Sequence, residues 1–146
     1  MVRRIYLASS WRNEQQPEVV SDLRSWGHEV YDFRHPAEGI DGFSWSSVDP
    51  GWKSTWTPHG FLQGLRHPLA EEGYFLDWRA MQWADTGVLL LPCGKSAHLE
   101  AGYFVGAGKT LIVVLERDRV EPELMYRMAT SLCVGHADLR LLLDPP

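Results

Sequence analysis

Thr86-Gly-Val-Leu-Leu-Leu-Pro-Cys-Gly-Lys-Ser-Ala-His-Leu-Glu-Ala-Gly102 holds an apolar run without alternation, then a turn, then a helix-forming stretch. A strand that is apolar on both faces is one buried on both faces, which is the mark of a parallel sheet covered by helices. Thr86 to Leu91 therefore predicts such a strand, and Pro92 to Ser96 a loop. Ala97 to Ala107 predicts a helix, with Ser96 as its N-cap and Gly108-Lys109 as its end.

Working outward, Thr110-Leu-Ile-Val-Val-Leu115 predicts a second buried strand, Pro122 to Thr130 a helix, and Leu132-Cys-Val134 a short last strand. Upstream, Arg3 to Ser9 is rich in strand formers, and Ser10-Trp-Arg-Asn13 follows as a polar loop. Between Pro17 and Trp26 the residues Val19, Val20, Leu23 and Trp26 recur at helical spacing, and Gly27 stops the helix ahead of a strand at His28 to Phe33. Strands alternating with helices predict an α/β class: a single-domain parallel sheet, flavodoxin-like or Rossmann-like, of order about 2-1-3-4-5, flanked by helices.

That domain is expected to span residues 1–146, with a Trp-rich insertion loop at about 34–66 that carries Phe43, Trp45, Trp52, Trp56 and Phe61. A stretch so long inside a compact domain reads as a lid or binding loop. Thr57-Pro58, an N-cap followed by proline, predicts a short helix within it. A longer helix is expected from near Pro68 to about Ala84, with Gly73 as a point of interruption.

Bulk properties narrow the function. A chain of 146 residues, 45% hydrophobic and 23% charged, is of ordinary globular composition and long enough to bury a core without staples. Its net charge of -5 disfavours gripping a nucleic-acid polymer, which needs clustered Lys and Arg, while leaving a single nucleoside or nucleotide open. Cys93 and Cys133 lie far apart and suggest neither a disulfide framework nor a zinc site. With no apolar run long enough for a membrane span and no signal-peptide pattern in Met1 to Ser9, a cytoplasmic protein is expected.

In open parallel sheets, ligands bind beyond the carboxyl ends of the strands where the strand order reverses. In this topology, Ser9 to Asn13 converges there with Pro92 to Ser96. Glu100 would then stand in the first turn of the following helix, where the positive end of the dipole favours an ionised carboxylate. An acidic residue in a first turn is also ordinary, and the pattern alone favours that plainer role. Ala101, Gly102, Gly106, Ala107 and Gly108 leave the helix with little bulk, which permits close approach to sheet or ligand. Among other carboxylates, Asp85 reads as a turn residue before the strand, and Asp77 lies roughly 12 Å nearer the crevice end at about 1.5 Å per helical residue. Tyr6 is either a hydrogen-bond donor to a crevice carboxylate or core. The tryptophans either stack on a flat base or pin their loop as a hydrophobic cluster. Cys93 has no base partner legible in the sequence, and the histidines form no ligand cluster, so no metal or cofactor is expected.

Taken together, Ile5-Tyr-Leu-Ala-Ser-Ser10, the Asp77 to Asp85 stretch, Val88 to Gly102 and Gly106-Ala-Gly-Lys-Thr-Leu-Ile-Val113 resemble the nucleoside 2-deoxyribosyltransferase family, which includes 2-deoxynucleoside 5-monophosphate N-hydrolases. The resemblance covers most of the chain outside residues 34–66, and Glu-x-Gly at 100–102 is its most specific part. It implies N-glycosidic cleavage or transfer on a nucleoside or nucleotide, as in nucleotide salvage. Glu100 would attack the anomeric carbon to form a covalent glycosyl-enzyme, Asp77 would bind and protonate the base, and Tyr6 would orient the glutamate. Ser9, Ser10, Trp11, Arg12, Gly94, Lys95, Ser96, Trp45 and Trp56 are the candidate substrate contacts. It also implies a homodimer or larger homo-oligomer. One position departs from the pattern. Six residues before the nucleophile, family transferases place aspartate and the monophosphate hydrolases serine, whereas this chain has Gly94. Lys95, Ser96, Ser10 and Arg12 are then the groups available to a phosphate at the helix N-terminus. Two rival readings are a NAD-cleaving domain of the Toll/interleukin-receptor type and a nucleotide-binding sensor without turnover.

Overall fold

The computed structural model describes residues 1–144. The chain divides into two compact units, one formed by Met1–Asp32 with the chain from Met81 onward, the other by Phe33–Ala80.

The first unit is built on five parallel strands in the order β2-β1-β3-β4-β5. They are β1 (Arg4–Ala8), β2 (Glu29–Tyr31), β3 (Thr86–Leu90), β4 (Thr110–Leu115) and β5 (Ser131–Val134). The expected order and parallel pairing are therefore present. Helix α1 (Gln16–Ser25) links β1 to β2, and later in the chain α6 (Lys95–Gly106) links β3 to β4, while α7 (His136–Leu143) follows β5. Side chains alternate across the sheet, so Ile5, Leu7, Val88, Leu90, Ile112 and Val114 share a core with Val19 and Leu23 of α1 and Leu139 and Leu143 of α7. Tyr6, Gly87 and the α6 residue Phe104 meet on the opposite face. Both faces are covered, which is why β3 is buried along its whole length.

How closely α6 approaches the sheet is set from the strand side. A Cβ on Gly87 would stand 2.7 Å from the Phe104 ring, so only glycine leaves room for it. Of the small residues of α6 expected to allow close approach to sheet or ligand, Ala101 faces the sheet and the glycines do not. Gly102 and Gly106 are exposed and face open space, and the helix turns Ala97, Ala101 and Phe104 inward instead. Gly108, at φ +70°, ends α6 in the left-handed conformation that glycine adopts without a Cβ penalty.

The second unit replaces the expected loop with short helices: α2 (Trp45–Val48), α3 (Trp52–Thr55) and α4 (Pro58–Gly64). Helices of four residues show too little periodicity to be read from sequence. The predicted cap does form, with Thr57 Oγ1 accepting from Gly60 N at 3.1 Å. Helix α5 runs unbroken through Pro68–Trp83. Gly73 does not interrupt it, because the missing side chain makes room for Phe43, whose Cβ lies 2.9 Å from where a Gly73 Cβ would be. The helix predicted at Pro122 to Thr130 is a 3-10 turn at Leu124–Met128, capped by the Glu123 carboxylate. No described helix is long and apolar enough to cross a membrane.

Candidate active site

β1 is paired on one side with β2 and on the other with β3, so connections leaving its carboxyl end diverge and a crevice opens there. Asn13, only 2% exposed, ties the two flanking loops together. Its Nδ2 donates to Ser9 Oγ at 3.1 Å and to Pro92 O at 3.3 Å, while Ser9 Oγ donates to Leu90 O at 3.0 Å. Ser9 is thus engaged in holding the crevice together. Ser10 Oγ accepts from Arg12 N, and Trp11 and Arg12 project outward from the turn.

The helix N-cap is Gly94 rather than Ser96, because helical backbone begins at Lys95 and Gly94 remains extended. This shifts Glu100 from the first turn to the second, away from the orphan N–H groups where the dipole acts. The expected dipole-held carboxylate is accordingly corrected. Burial dominates, and it pushes the Glu100 carboxyl up to about 8. Its partner is the Tyr6 hydroxyl, which donates to Glu100 Oε2.

Tyr6 is fixed on all sides. It is 1% exposed, stacks on Tyr31 of β2 with centroids 5.2 Å apart, and packs at a tilt on Phe104 at 5.8 Å. Register places Tyr6 beside Tyr31, which is why the two rings meet. The open choice for Tyr6 between donor and core resolves as both: the ring is core and the hydroxyl reaches the carboxylate.

Gly94, Lys95 and Ser96 are exposed at the start of α6, whose N-terminus has no side-chain cap, and nothing lies within 4 Å of a Cβ placed on Gly94. Asp77 is half-buried on α5. Trp45 and Trp56 are brought together in the second unit, edge to face at 5.5 Å. Asp85 is the turn residue expected, accepting from Arg4 N and Thr86 Oγ1.

A further group was not legible in the sequence. His98 Nδ1 faces Gly94 O at 2.7 Å, so that nitrogen carries the proton and Nε2 accepts from the Tyr126 hydroxyl at 2.8 Å. His98, Tyr126 and Cys93 line a cleft of about 230 Å³ beyond the carboxyl ends of β3 and β4. Burial pushes the Cys93 thiol up to about 12, which leaves it protonated and unsuited to attack. Tyr126 stands 28 residues from His98, so only the fold reveals the pair. Among the described residues, Glu18, Asp22 and His136 also place three possible metal-ligand atoms within 4.8 Å of one another, and His136 pairs with Asp22 at 3.1 Å.

The fold and crevice define a doubly wound α/β protein with a half-buried carboxylic acid at its topological switch point. Solved structures share that fold. They include a 2-deoxyribosyltransferase from the psychrotolerant bacterium Bacillus psychrosaccharolyticus, at TM-score 0.59 and 19% identity over 93% of this chain and 89% of that one. A CMP N-glycosidase from Clostridium botulinum matches at TM-score 0.55 and 17% identity over 97% and 98% of the two chains. A conserved protein from Enterococcus faecalis V583 matches at TM-score 0.60 and 13% identity, covering 96% of each. No protein-family model and no curated protein matches the sequence.

Proposed function

We propose that this chain is an enzyme that cleaves or transfers the N-glycosidic bond of a nucleoside or nucleotide, with Glu100 as nucleophile. The observation that carries the reading is the Tyr6–Glu100 hydrogen bond beside the switch point, in a fold shared with a 2-deoxyribosyltransferase and a CMP N-glycosidase.

The chemistry follows from the groups. Departure of the base leaves positive charge at the anomeric carbon, and a carboxylate attacking that carbon forms a glycosyl ester as the C–N bond breaks. The base leaves with the bonding electrons and takes a proton, a role assigned to Asp77. Water or a second base then attacks the same carbon and releases Glu100. Tyr6 donates to the oxygen that does not attack, holding the carboxylate in one orientation and favouring its charged form.

The uncapped start of α6, with Lys95, Ser96 and the open space at Gly94, is assigned to the sugar's hydroxyl or phosphate, together with Ser10 and Arg12. Ser9 shapes this end of the crevice, and Trp11, Trp45 and Trp56 are assigned to the base. The protein is read as a cytoplasmic homo-oligomer in nucleotide salvage. Leu62, Leu65, Leu69, Tyr74 and Phe75 support the assembly, since they form exposed apolar surface on α4 and α5.

Incubation with a panel of deoxynucleosides, ribonucleosides and their monophosphates, with and without a free acceptor base, tests the reading by chromatography. At least one compound should release its base. A panel including NAD that yields neither free base, exchanged base nor nicotinamide would sink it.

A further inference from the structure

The start of α6 is assigned to the substrate's hydroxyl or phosphate, yet its own N-cap residue is poorly suited to hold it. Gly94 has no side chain to bond the first turn, and glycine loses more backbone freedom than any other residue when it is fixed. Its carbonyl accepts from His98 N at 3.4 Å, which is long for a helical bond. Another group has to keep Gly94 to Ser96 in place if that turn is to serve as a binding surface.

The imidazole of His98 supplies that hold. Nδ1 donates to Gly94 O at 2.7 Å, closer than the backbone donor to the same oxygen, whereas Cys93 Sγ lies 3.7 Å from that nitrogen. The far edge of the ring is fixed in turn. Nε2 accepts from the Tyr126 hydroxyl at 2.8 Å, and the two rings stack at 20° with centroids 5.8 Å apart. Burial, with Glu123 and Glu121 nearby, pushes the Tyr126 hydroxyl up and keeps it a donor. Tyr126 itself stands on the 3-10 turn Leu124–Met128, where the Glu123 carboxylate accepts from Met125 N at 2.9 Å. Hydrogen bonds therefore run from that turn, through the imidazole, to the first carbonyl of α6. Both ring nitrogens are committed, so His98 acts through Gly94 and has no free polar atom to offer a substrate.

We propose that His98 and Tyr126 are positioning residues that hold Gly94 to Ser96 in the conformation that receives the sugar's hydroxyl or phosphate. The proposal rests on the reading above for what is bound there, and on the hydrogen-bond chain for what is held. A plainer role, in which the pair only ties the 3-10 turn onto α6, would lower stability and leave substrate affinity alone.

The experiment uses the full chain and two replacements that each keep half of the imidazole's bonding. His98→Asn puts an amide nitrogen where Nδ1 stands and keeps the bond to Gly94, whereas His98→Gln puts one where Nε2 stands and keeps only Tyr126. Hydrogen exchange over residues 93–99 needs no substrate: His98→Gln should quicken it and His98→Asn should restore slow exchange. With the substrate that the panel identifies, His98→Gln should raise KM roughly five- to tenfold, the worth of one hydrogen bond, with kcat within about twofold. His98→Asn should bring KM back to within about twofold of the unmodified chain, and Tyr126→Phe should raise it less than His98→Gln does. Equal KM in the Asn and Gln variants, exchange indifferent to His98→Gln, or a lowered Tm at unchanged KM would each overturn the proposal. Absence of base release by the unmodified chain would sink the glycosidic reading alone, and hydrogen exchange would then decide whether the pair holds the start of α6.

Discussion

A glutamate whose carboxyl is pushed up to about 8 is mostly protonated at neutral pH, whereas attack on an anomeric carbon needs the carboxylate. The kcat/KM of base release should therefore rise with pH and level off above about 8 as Glu100 ionises. Tyr6→Phe removes the donor that favours the charged form, so the rising limb should move to higher pH and kcat should fall roughly 10- to 100-fold, the range of a hydrogen bond to a charged group. An unchanged pH profile in Tyr6→Phe would show that the hydroxyl does not govern the carboxyl. Stability follows the same titration. The folded chain holds the Glu100 proton above the ordinary carboxyl value of 4.5, so the stabilisation is complete below that pH and is lost as pH rises through about 8. The Tm should decline between pH 5 and pH 8.5, and Glu100→Gln should flatten the decline.

The strands were legible because each carries a short apolar run, and β3 and β4 do not alternate, which pointed to burial on both faces. What escaped was finer. Ser96 looked like a cap by residue type, but Gly94 takes the extended conformation two residues earlier, and that shift alone moved Glu100 out of the dipole's reach. Residues 34–66 read as a loop because α2 and α3 are single turns. Helix α7 went unread even though Leu139, Leu142 and Leu143 recur at helical spacing. Tyr6 was visible as a candidate in the sequence, while Tyr31 and Asn13 act through register and long-range contacts that spacing does not encode. The approach of α6 to β3 depends on Gly87, and Gly87→Ala would overpack Phe104 and cost about 1–3 kcal/mol in denaturant unfolding. Because Phe104 also touches Tyr6, this variant should lose activity under conditions where it remains folded. Retained stability would mean that the sheet and α6 part more easily than their packing implies.

The arrangement as a whole follows the physics of parallel sheets: two loops meet at the carboxyl ends of β1 and β3, and a helix carries an acid back toward them. Exposed apolar residues on α4 and α5 predict self-association, so sedimentation equilibrium should give a dimer or larger, and Leu69→Glu should lower the assembled fraction. A monomer at micromolar concentration would contradict that expectation without touching the chemistry. The central claim rests on Glu100 and on the bond it attacks. Once the panel has identified a substrate, the rate of base release by Glu100→Ala against the unmodified chain tests it most directly. The nucleophile role predicts a loss of at least about a thousandfold. Turnover within tenfold of the unmodified chain would contradict the assignment.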